Sequence, residues 1–232
     1  MIKTALILAG GFGTRLRSEV SDLPKPMAPI AGRPFLEYQM DFCINQGVTK
    51  FYLSVGYLKD KIINYFGSSY KTAEIVYLIE DRPLGTGGAI LNSLDSIDQT
   101  FFLLNGDTFF DINLLDFFNF HQARKSLFSM ALFKTSNTKR YMGIKLDKNN
   151  KILSCHEESK NQDILANGGI YIVNKDIFDN FEINENKISL EDDILPKIVR
   201  EESRVYGLSF TKFFIDIGLP EDYKKAKTLF KN

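Results

Sequence analysis

Cysteine and histidine are scarce in this sequence, and neither is arranged in a pattern that binds metal or forms disulfides. The two cysteines, Cys43 and Cys155, lie among apolar residues without CxxC spacing. The two histidines, His121 and His156, fall on a predicted helix and a predicted strand and lack the spacing of metal ligands. Reduced, buried thiols are typical of cytosolic proteins. We therefore expect a cytoplasmic protein whose histidines take no part in catalysis.

Long apolar runs and an excess of charge are also absent. The apolar start at residues 5–9 is shorter than the hydrophobic region of a signal peptide, and two glycines follow at once. No apolar run approaches the length needed to span a bilayer. The 29 basic and 29 acidic residues give a net charge of +0, which provides no overall field for nucleic acid or anionic membranes. We expect neither kind of partner.

The sequence does contain a regular alternation of strand-like and helix-like segments. Apolar, strand-like runs in the first half occupy residues 4–8, 51–55, 74–79 and 101–104. Helical patterns between them occupy residues 35–46, 59–66 and 88–94. From about residue 126 strands dominate, at 127–134, 142–146, 152–156 and 169–173, and helices return at 190–200 and 220–230. Such units predict a single α/β domain with a Rossmann-like, mixed and mostly parallel sheet flanked by helices.

The most informative segment follows the first predicted strand and reads LAGGFGTRLR at residues 8–17. Its glycines Gly10, Gly11 and Gly13 let backbone N–H groups approach a ligand, and a run of such groups cradles phosphate. Arg15 adds a planar fork for phosphate oxygens, and Lys25 adds an ammonium group between two stiffening prolines. The loop matches neither the Rossmann pattern GxGxxG nor the P-loop pattern GxxxxGK[ST]. The loop therefore predicts a phosphate cradle of a different kind, with a glycine-rich turn that only joins a strand to a helix as the alternative.

These residues resemble a known family. LAGGFGTRLR followed by PKPMAPIAGRPFL at residues 24–36 is similar to the sugar-1-phosphate nucleotidyltransferases, and the similarity covers nearly the whole chain. Ser21-Asp22-Leu23 and PLGTGGAI at residues 83–90 resemble, within that family, the D-glycero-α-D-manno-heptose 1-phosphate guanylyltransferases.

The resemblance implies the nucleotide-diphospho-sugar transferase fold and synthesis of GDP-heptose for a bacterial capsule or lipopolysaccharide. It also implies nucleotide contacts from the glycine loop, including Leu8 and Thr14, and from Gly85 and Thr86. We place the nucleotide site in residues 1 to about 125 and the acceptor site in residues from about 126 to 232.

Two aspartates are candidates for holding a metal ion. Asp107 follows a predicted buried strand, where α/β proteins bind ligands, and Asp216 lies between an apolar run and a helix. Either alone is also compatible with an ordinary turn or helix-capping residue. Together they suit Mg²⁺, which takes one or two carboxylates plus phosphate oxygens. The resemblance implies that both are metal ligands, although Leu219 stands where the family usually has threonine.

Glu80 is the candidate for reading the base. A carboxylate only accepts hydrogen bonds, so it can take both N1–H and N2–H of guanine, whereas thymine or uracil would present a carbonyl beside its N–H. The resembling thymidylyltransferases carry glutamine at this position. Glu80 therefore favours GTP, with a solvent-facing glutamate as the alternative. We expect Gly85 and Gly87 to let the backbone approach the base.

Five residues are predicted to form the sugar-phosphate site by resemblance: Asn105, Gly143, Glu157, Asn167 and Gly168. The family's Glu-Lys-Pro motif becomes Glu157-Glu158-Ser159 here, so the lysine that commonly meets the sugar phosphate is missing. Lys160 is one substitute for it. Lys25 and Arg140 are the other cationic candidates.

The expected reaction is in-line attack of the sugar phosphate on the α-phosphorus of GTP. A phosphate monoester has a second pKa of about 6, so the nucleophile needs no general base. Arg15 is expected to hold the leaving phosphates and Lys25 to bridge the reacting ones. The alternatives are a mannose 1-phosphate guanylyltransferase, a glucose 1-phosphate thymidylyl- or cytidylyltransferase, and a non-catalytic sugar-nucleotide-binding module. The oligomeric state is left open, with a homodimer among the alternatives.

Overall fold

The structure, a computed structural model, describes residues 1–16, 19–157, 163–183 and 186–230, without the side chains of Thr14, His156 and Glu157. The predictions made on Glu158, Ser159 and Lys160 lie outside the described residues, as does the side chain of Glu157. No helix in the described ranges is both long enough and apolar enough to cross a membrane.

The strands and helices alternate along the chain much as the sequence predicts. The strands are β1 (Thr4–Leu8), β2 (Pro29–Ile30), β3 (Arg33–Pro34), β4 (Lys50–Val55), β5 (Ser69–Tyr70), β6 (Ala73–Ile79), β7 (Thr100–Asn105), β8 (Thr108–Phe110), β9 (Phe128–Thr135), β10 (Gly143–Leu146), β11 (Ile152–Glu157), β12 (Ile164–Asn174), β13 (Val205–Ser209) and β14 (Phe214–Asp216). The α-helices are α1 (Phe35–Asn45), α2 (Lys59–Phe66), α3 (Gly85–Leu91), α4 (Leu114–Ala123), α5 (Leu195–Glu201) and α6 (Pro220–Leu229).

One large sheet organises the fold, with strand order β13-β9-β12-β7-β1-β4-β6-β5. β1 pairs in parallel with β4 and β7, β4 with β6, and β9 with β13. β12 is antiparallel to both of its neighbours, and β5 is antiparallel to β6. The sheet is therefore mixed and mostly parallel, as predicted for this single α/β domain. Strands from both halves of the chain share it, and the functional division between the halves stays a prediction.

Alternating side chains bury the central strands on both faces of the sheet. In β1, Ala5 and Ile7 join one core and Leu6 joins the other. The first core also receives α1, α2 and α4, and the second receives α3 and α5. Because both faces are covered by helices, the carboxyl edge of the parallel strands is left as the place for a ligand.

Two helices differ from their predicted limits for identifiable reasons. The helix expected at residues 88–94 spans Gly85–Leu91, because the Ile188 carbonyl accepts hydrogen bonds from Gly87 N at 2.8 Å and Gly88 N at 3.2 Å. These bonds satisfy amide groups that the first turn of a helix leaves free. The helix expected at residues 190–200 begins as one π-helical turn over Leu190–Ile194 and becomes α5. Pro196 cannot donate a helical hydrogen bond, so a regular α-helix cannot run through it.

Candidate active site

A cavity of about 610 Å³ opens at the carboxyl edge of β1, β6 and β7, within the range of small-molecule sites. Thirteen of the predicted site residues line it, namely Leu8, Gly10, Gly11, Gly13, Arg15, Lys25, Glu80, Gly85, Thr86, Asn105, Asp107, Asn167 and Asp216. Gly143 and Gly168 are not among the lining residues and are buried in β10 and β12. Residues far apart in sequence thus meet around one space large enough for a nucleotide.

The glycine loop leaves β1 and brings Lys25 to the cavity. Gly13 has a φ of +56°, and a Cβ atom added there would lie 3.0 Å from Lys25 Cβ. Lys25 starts a 3-10 turn whose next two residues, Pro26 and Met27, are buried. The turn anchors the lysine backbone, while glycine at position 13 leaves room for the base of its side chain. The side chain is only 12% exposed and points to Asp107.

The two candidate metal carboxylates are held side by side by a strand pair. Thr108 in β8 faces Asp216 in β14, and Ile217 N donates to the Asp107 carbonyl at 2.9 Å. Asp107 forms an ion pair with Lys25. Asp216 Oδ2 accepts a hydrogen bond from Arg140 at 2.8 Å. Two cation–carboxylate pairs, Lys25 with Asp107 and Arg140 with Asp216, therefore lie on the cavity wall.

This set of groups fits a magnesium ion that takes its remaining ligands from substrate and water. Among the described residues, no group of three or more His, Cys, Asp or Glu side chains is arranged to hold a metal. Mg²⁺ commonly binds through one or two carboxylates plus phosphate oxygens. Asp107 and Asp216, which remain 31% and 22% exposed to the cavity, match that requirement in number and chemistry.

Glu80 is a fixed side chain of the cavity wall. Ser54 Oγ, on the fully buried Ser54 of β4, donates to Glu80 Oε1 at 2.7 Å, and Leu84 N donates to Oε2 at 3.2 Å. A Cβ atom on Gly10 would lie 2.6 Å from Glu80 Oε1. The absence of a side chain at Gly10 thus lets the glycine loop pack against the carboxylate. Since each carboxylate oxygen has two lone pairs, both oxygens of Glu80 can accept a further hydrogen bond.

Gly85 and Gly87 pack against Ile188, a contact that their sequence context does not indicate. We expected them to let the backbone approach the base, but both are in close contact with Ile188. A Cβ atom on Gly85 would overlap the Ile188 carbonyl, and Gly85 has a φ of +80°. A Cβ atom on Gly87 would lie 2.9 Å from Ile188 Cγ2. The contact with Ile188 is sufficient to require glycine at both positions, although Gly85 also lines the cavity.

Several lining residues were not predicted, including Phe12, Lys187 and Glu191. Lys187 Nζ lies 5.7 Å from the centre of the Phe12 ring. Glu191 reads in sequence as part of an acidic first helical turn, Glu191-Asp192-Asp193, which is the ordinary charge pattern of a helix N-terminus. Only the packing of that turn against α3 distinguishes Glu191 from its two exposed neighbours.

Burial suppresses ionisation of several groups at the site. It raises the pKa of Tyr141 to about 12 and the pKa of Cys155 to about 11. Both groups line the cavity and are neutral at pH 7. Cys155 is therefore a thiol with little nucleophilic character. His121 lies elsewhere, buried in α4 with its Nδ1 atom 2.9 Å from Ser129 Oγ.

The sheet topology and the cavity at its carboxyl edge define an α/β protein of the class that binds ligands at the strand ends, with cationic and carboxylate groups in one site. The chain belongs to the nucleotidyl transferase family, whose profile matches residues 4–232.

Relatives with known names cover almost the whole chain. The D-glycero-alpha-D-manno-heptose 1-phosphate guanylyltransferase of Aneurinibacillus thermoaerophilus is 40% identical over 224 residues, which is 96% of each chain. The enzyme of the same name from Campylobacter jejuni is 40% identical over 219 residues, 94% of this chain and 96% of its own. The crystal structure of HddC from Yersinia pseudotuberculosis superposes with a TM-score of 0.86 at 34% identity, covering 99% of this chain and all of that one. HddC has also been crystallised with GMP-PN.

Proposed function

We propose that the protein transfers GMP from GTP to D-glycero-α-D-manno-heptose 1-phosphate, producing GDP-heptose and pyrophosphate. The observation that carries the proposal is the meeting of Lys25, Asp107 and Asp216 with Glu80 in one cavity. The names of the two 40% identical relatives support the choice of substrates. HddC complexed with GMP-PN supports a guanine nucleotide as the ligand of this fold.

In this reaction an oxygen of the sugar phosphate attacks the α-phosphorus of GTP. A new P–O bond forms, the bond from the α-phosphorus to the bridging oxygen breaks, and pyrophosphate leaves with the electron pair. The attacking phosphate is largely dianionic at neutral pH because its second pKa is about 6. No proton has to be removed from it, which agrees with a cavity whose Tyr141 and Cys155 are held neutral by burial.

The chain's own residues align two anions that repel each other. We assign Arg15 to the leaving β- and γ-phosphates and Lys25 to the oxygens around the α-phosphorus. Asp107 and Asp216 would hold Mg²⁺, which supplies neutralisation of the phosphate charge when bound. Arg140, bound to Asp216, limits how that carboxylate turns. Because Lys25 is paired with Asp107, Arg140 with Asp216, and the two aspartates with the β8–β14 strand pair, the relative positions of these four residues are set before the substrates arrive.

Glu80 is assigned to the guanine base. The donors Ser54 Oγ and Leu84 N hold one lone pair of each oxygen, and the other lone pairs are available for guanine N1–H and N2–H. A pyrimidine base would place a carbonyl against one of these oxygens. The glycine loop, Leu8 and Gly85 lie in the same cavity and are assigned to the rest of the nucleotide.

The test is pyrophosphate release by the purified chain with each of GTP, ATP, CTP, UTP and dTTP. Each is combined with D-glycero-α-D-manno-heptose, mannose or glucose 1-phosphate, with and without Mg²⁺. We expect turnover that is fastest with GTP and the heptose, and that disappears with EDTA. Faster turnover with GTP and mannose 1-phosphate would instead indicate a mannose 1-phosphate guanylyltransferase. Faster turnover with dTTP or CTP and glucose 1-phosphate would indicate a glucose 1-phosphate thymidylyl- or cytidylyltransferase. Release with no pair would favour a non-catalytic binding module.

We further propose that the enzyme works in the cytoplasm. Both cysteines are free and buried in the structure, a state typical of reducing compartments. Thiol titration of the protein in its native and denatured states, after purification without reductant, tests this inference. Two reactive thiols after denaturation are expected, and a disulfide recovered from cells would contradict it.

A further inference from the structure

Glu191 is a carboxyl group of the cavity wall that the proposed reaction leaves unused. It is the second residue of the π-helical turn Leu190–Ile194, and it lines the cavity. Burial raises the pKa of its carboxyl. Within the described ranges it forms no ion pair with lysine or arginine. Such short π-helical turns are frequent at functional sites.

Two segments from opposite halves of the chain hold Glu191 in place. The Thr86 hydroxyl accepts a hydrogen bond from Leu190 N at 2.8 Å and donates one to Glu191 Oε2 at 2.9 Å. Ile188 lies three residues before Glu191. Its carbonyl accepts hydrogen bonds from the amides of Gly87 and Gly88, and its own amide donates to the Leu84 carbonyl at 2.8 Å. The hydroxyl of Thr86 is therefore engaged by the protein, and the carboxyl that it supports cannot swing freely.

The surroundings of Glu191 select the chemistry of what it can contact. Its side-chain hydrogen-bond partners are the hydroxyls of Thr86 and Ser189, and the carboxylates of Asp192 and Asp107 are close enough to contribute to raising its pKa. A phosphate group brought against the Glu191 carboxylate, which is unpaired within the described ranges, would be repelled by it. An uncharged group rich in O–H donors would instead satisfy the free lone pairs of a buried acceptor. Ring hydroxyls of a sugar have this character, and both substrates contain a sugar ring.

The position of Glu191 favours the sugar of the acceptor over the ribose of GTP. Glu80 and the glycine loop stand at the ends of β6 and β1, on the nucleotide side. Glu191 is close enough to Tyr171 of β12 for its charge to add to burial in raising the pKa of that tyrosine. The hydroxyl of Tyr171 in turn accepts a hydrogen bond from Asn167, one of the residues predicted for the sugar-phosphate site.

We propose that Glu191 determines acceptor specificity by accepting hydrogen bonds from ring hydroxyls of the sugar 1-phosphate, with Thr86 as its positioning residue. The inference rests on the proposed transferase function. It adds to the site a contact that is independent of Glu157, and it assigns the hydroxyl of Thr86 to the support of this carboxyl.

The experiment measures KM for the sugar 1-phosphate and for GTP separately in the wild type, Glu191→Gln, Glu191→Ala, Thr86→Val and Thr86→Ser. Loss of the hydrogen bonds that the Glu191 carboxyl accepts predicts a rise of about tenfold or more in the acceptor KM of Glu191→Ala. The acceptor KM should rise less in Glu191→Gln. It should also rise in Thr86→Val but stay near the wild-type value in Thr86→Ser, which keeps the hydroxyl. KM for GTP should stay within about twofold of wild type, because a change in one sugar contact leaves the other substrate's contacts intact. The exposed Glu201→Gln on α5 is the matched control and should change neither value.

Equal rises in both KM values would show a structural role, and a rise for GTP alone would assign Glu191 to the ribose. Either result, or an unchanged acceptor KM, overturns the proposal. If Glu191→Ala does not fold, Glu191→Gln decides, because it keeps the size of the side chain. A wild-type enzyme inactive with every sugar 1-phosphate refutes the proposed function itself. An active wild type with unaffected Glu191 variants refutes only the role of Glu191.

Discussion

Ile217 donates its backbone N–H to the carbonyl of Asp107 at 2.9 Å, which continues the β8–β14 ladder beyond the pair formed by Thr108 and Asp216. This bond joins residues more than a hundred positions apart and keeps both aspartates together on the cavity wall. Their carboxylates are placed by backbone hydrogen bonding, so substitutions of the side chains can be made without moving the strands.

Replacing either aspartate by asparagine is expected to abolish most turnover while the protein stays folded. Asp107→Asn and Asp216→Asn each remove one negative charge from the proposed magnesium site, and loss of a charge interaction in a transition state costs about 10²- to 10³-fold in rate. Pyrophosphate release measures the effect, and circular dichroism checks the fold. Asp111→Asn, at an exposed position just after β8, is the control and should be fully active. Near-normal rates in either active-site variant would refute its assigned role.

Substituting Gly13 is expected to affect both stability and catalysis. Gly13→Ala places a Cβ atom 3.0 Å from Lys25 Cβ at a φ of +56°, and a left-handed conformation costs a non-glycine residue about 1–2 kcal/mol. We expect a similar loss in the free energy of unfolding and, because Lys25 is displaced, a fall in kcat of about tenfold or more.

Gly32→Ala separates the two effects of that substitution. Gly32 also has a positive φ, +82°, but a Cβ atom there would meet nothing within 4 Å. Urea unfolding should show strain in both variants, whereas turnover should fall only in Gly13→Ala. Equal kcat values for the two would mean that Gly13 does not position Lys25.

The Glu80 carboxylate is expected to set the preference for GTP. Glu80→Gln places an N–H group where guanine presents its own donors, so kcat/KM for GTP should fall by about 10- to 100-fold relative to UTP. Ser54→Ala removes the bond to Glu80 Oε1 and should shift the ratio in the same direction by a smaller factor. Competition assays with both nucleotides measure the ratio. A ratio unchanged in Glu80→Gln would assign base reading to another residue.

His121 is expected to make the fold less stable in mild acid. Burial lowers its pKa to about 4 from an unfolded value of about 6.5. The unfolded chain therefore binds the proton more readily. The stability contributed by neutral His121 is complete above pH 6.5 and is lost as the pH falls toward 4, by up to about 3 kcal/mol. Urea unfolding of wild type and His121→Gln at pH 7 and pH 4.5 tests this. The stability difference between the two proteins should shrink or reverse at the lower pH, and a constant difference would contradict it.

Local patterns in the sequence are sufficient to predict most strands, the helix α2 from Lys59 to Phe66, and the parallel class of the sheet. They fail where a distant segment decides the outcome. α3 starts at Gly85 because the Ile188 carbonyl, about a hundred residues later, caps its amides. β13 was not predicted because its pairing with β9 depends on how the chain returns to the sheet. The local periodicity of hydrophobic residues does not depend on such long-range contacts, so it cannot predict them.

The candidate site divides in the same way. Arg15, Lys25, Asp107 and Glu80 could be selected from sequence because their chemical types stand beside glycines or strand ends, and those neighbours are local. Glu191 could not be selected from sequence, because its acidic turn has the ordinary charge pattern of a helix N-terminus. Only its packing against α3 in the folded protein distinguishes it. The amino-acid sequence by itself determined which cationic and carboxylate groups are available. Only the tertiary structure decided that Lys25 pairs with Asp107, that Arg140 pairs with Asp216, and that Glu191 faces the cavity, because these relations arise from strand pairing and packing between distant parts of the chain.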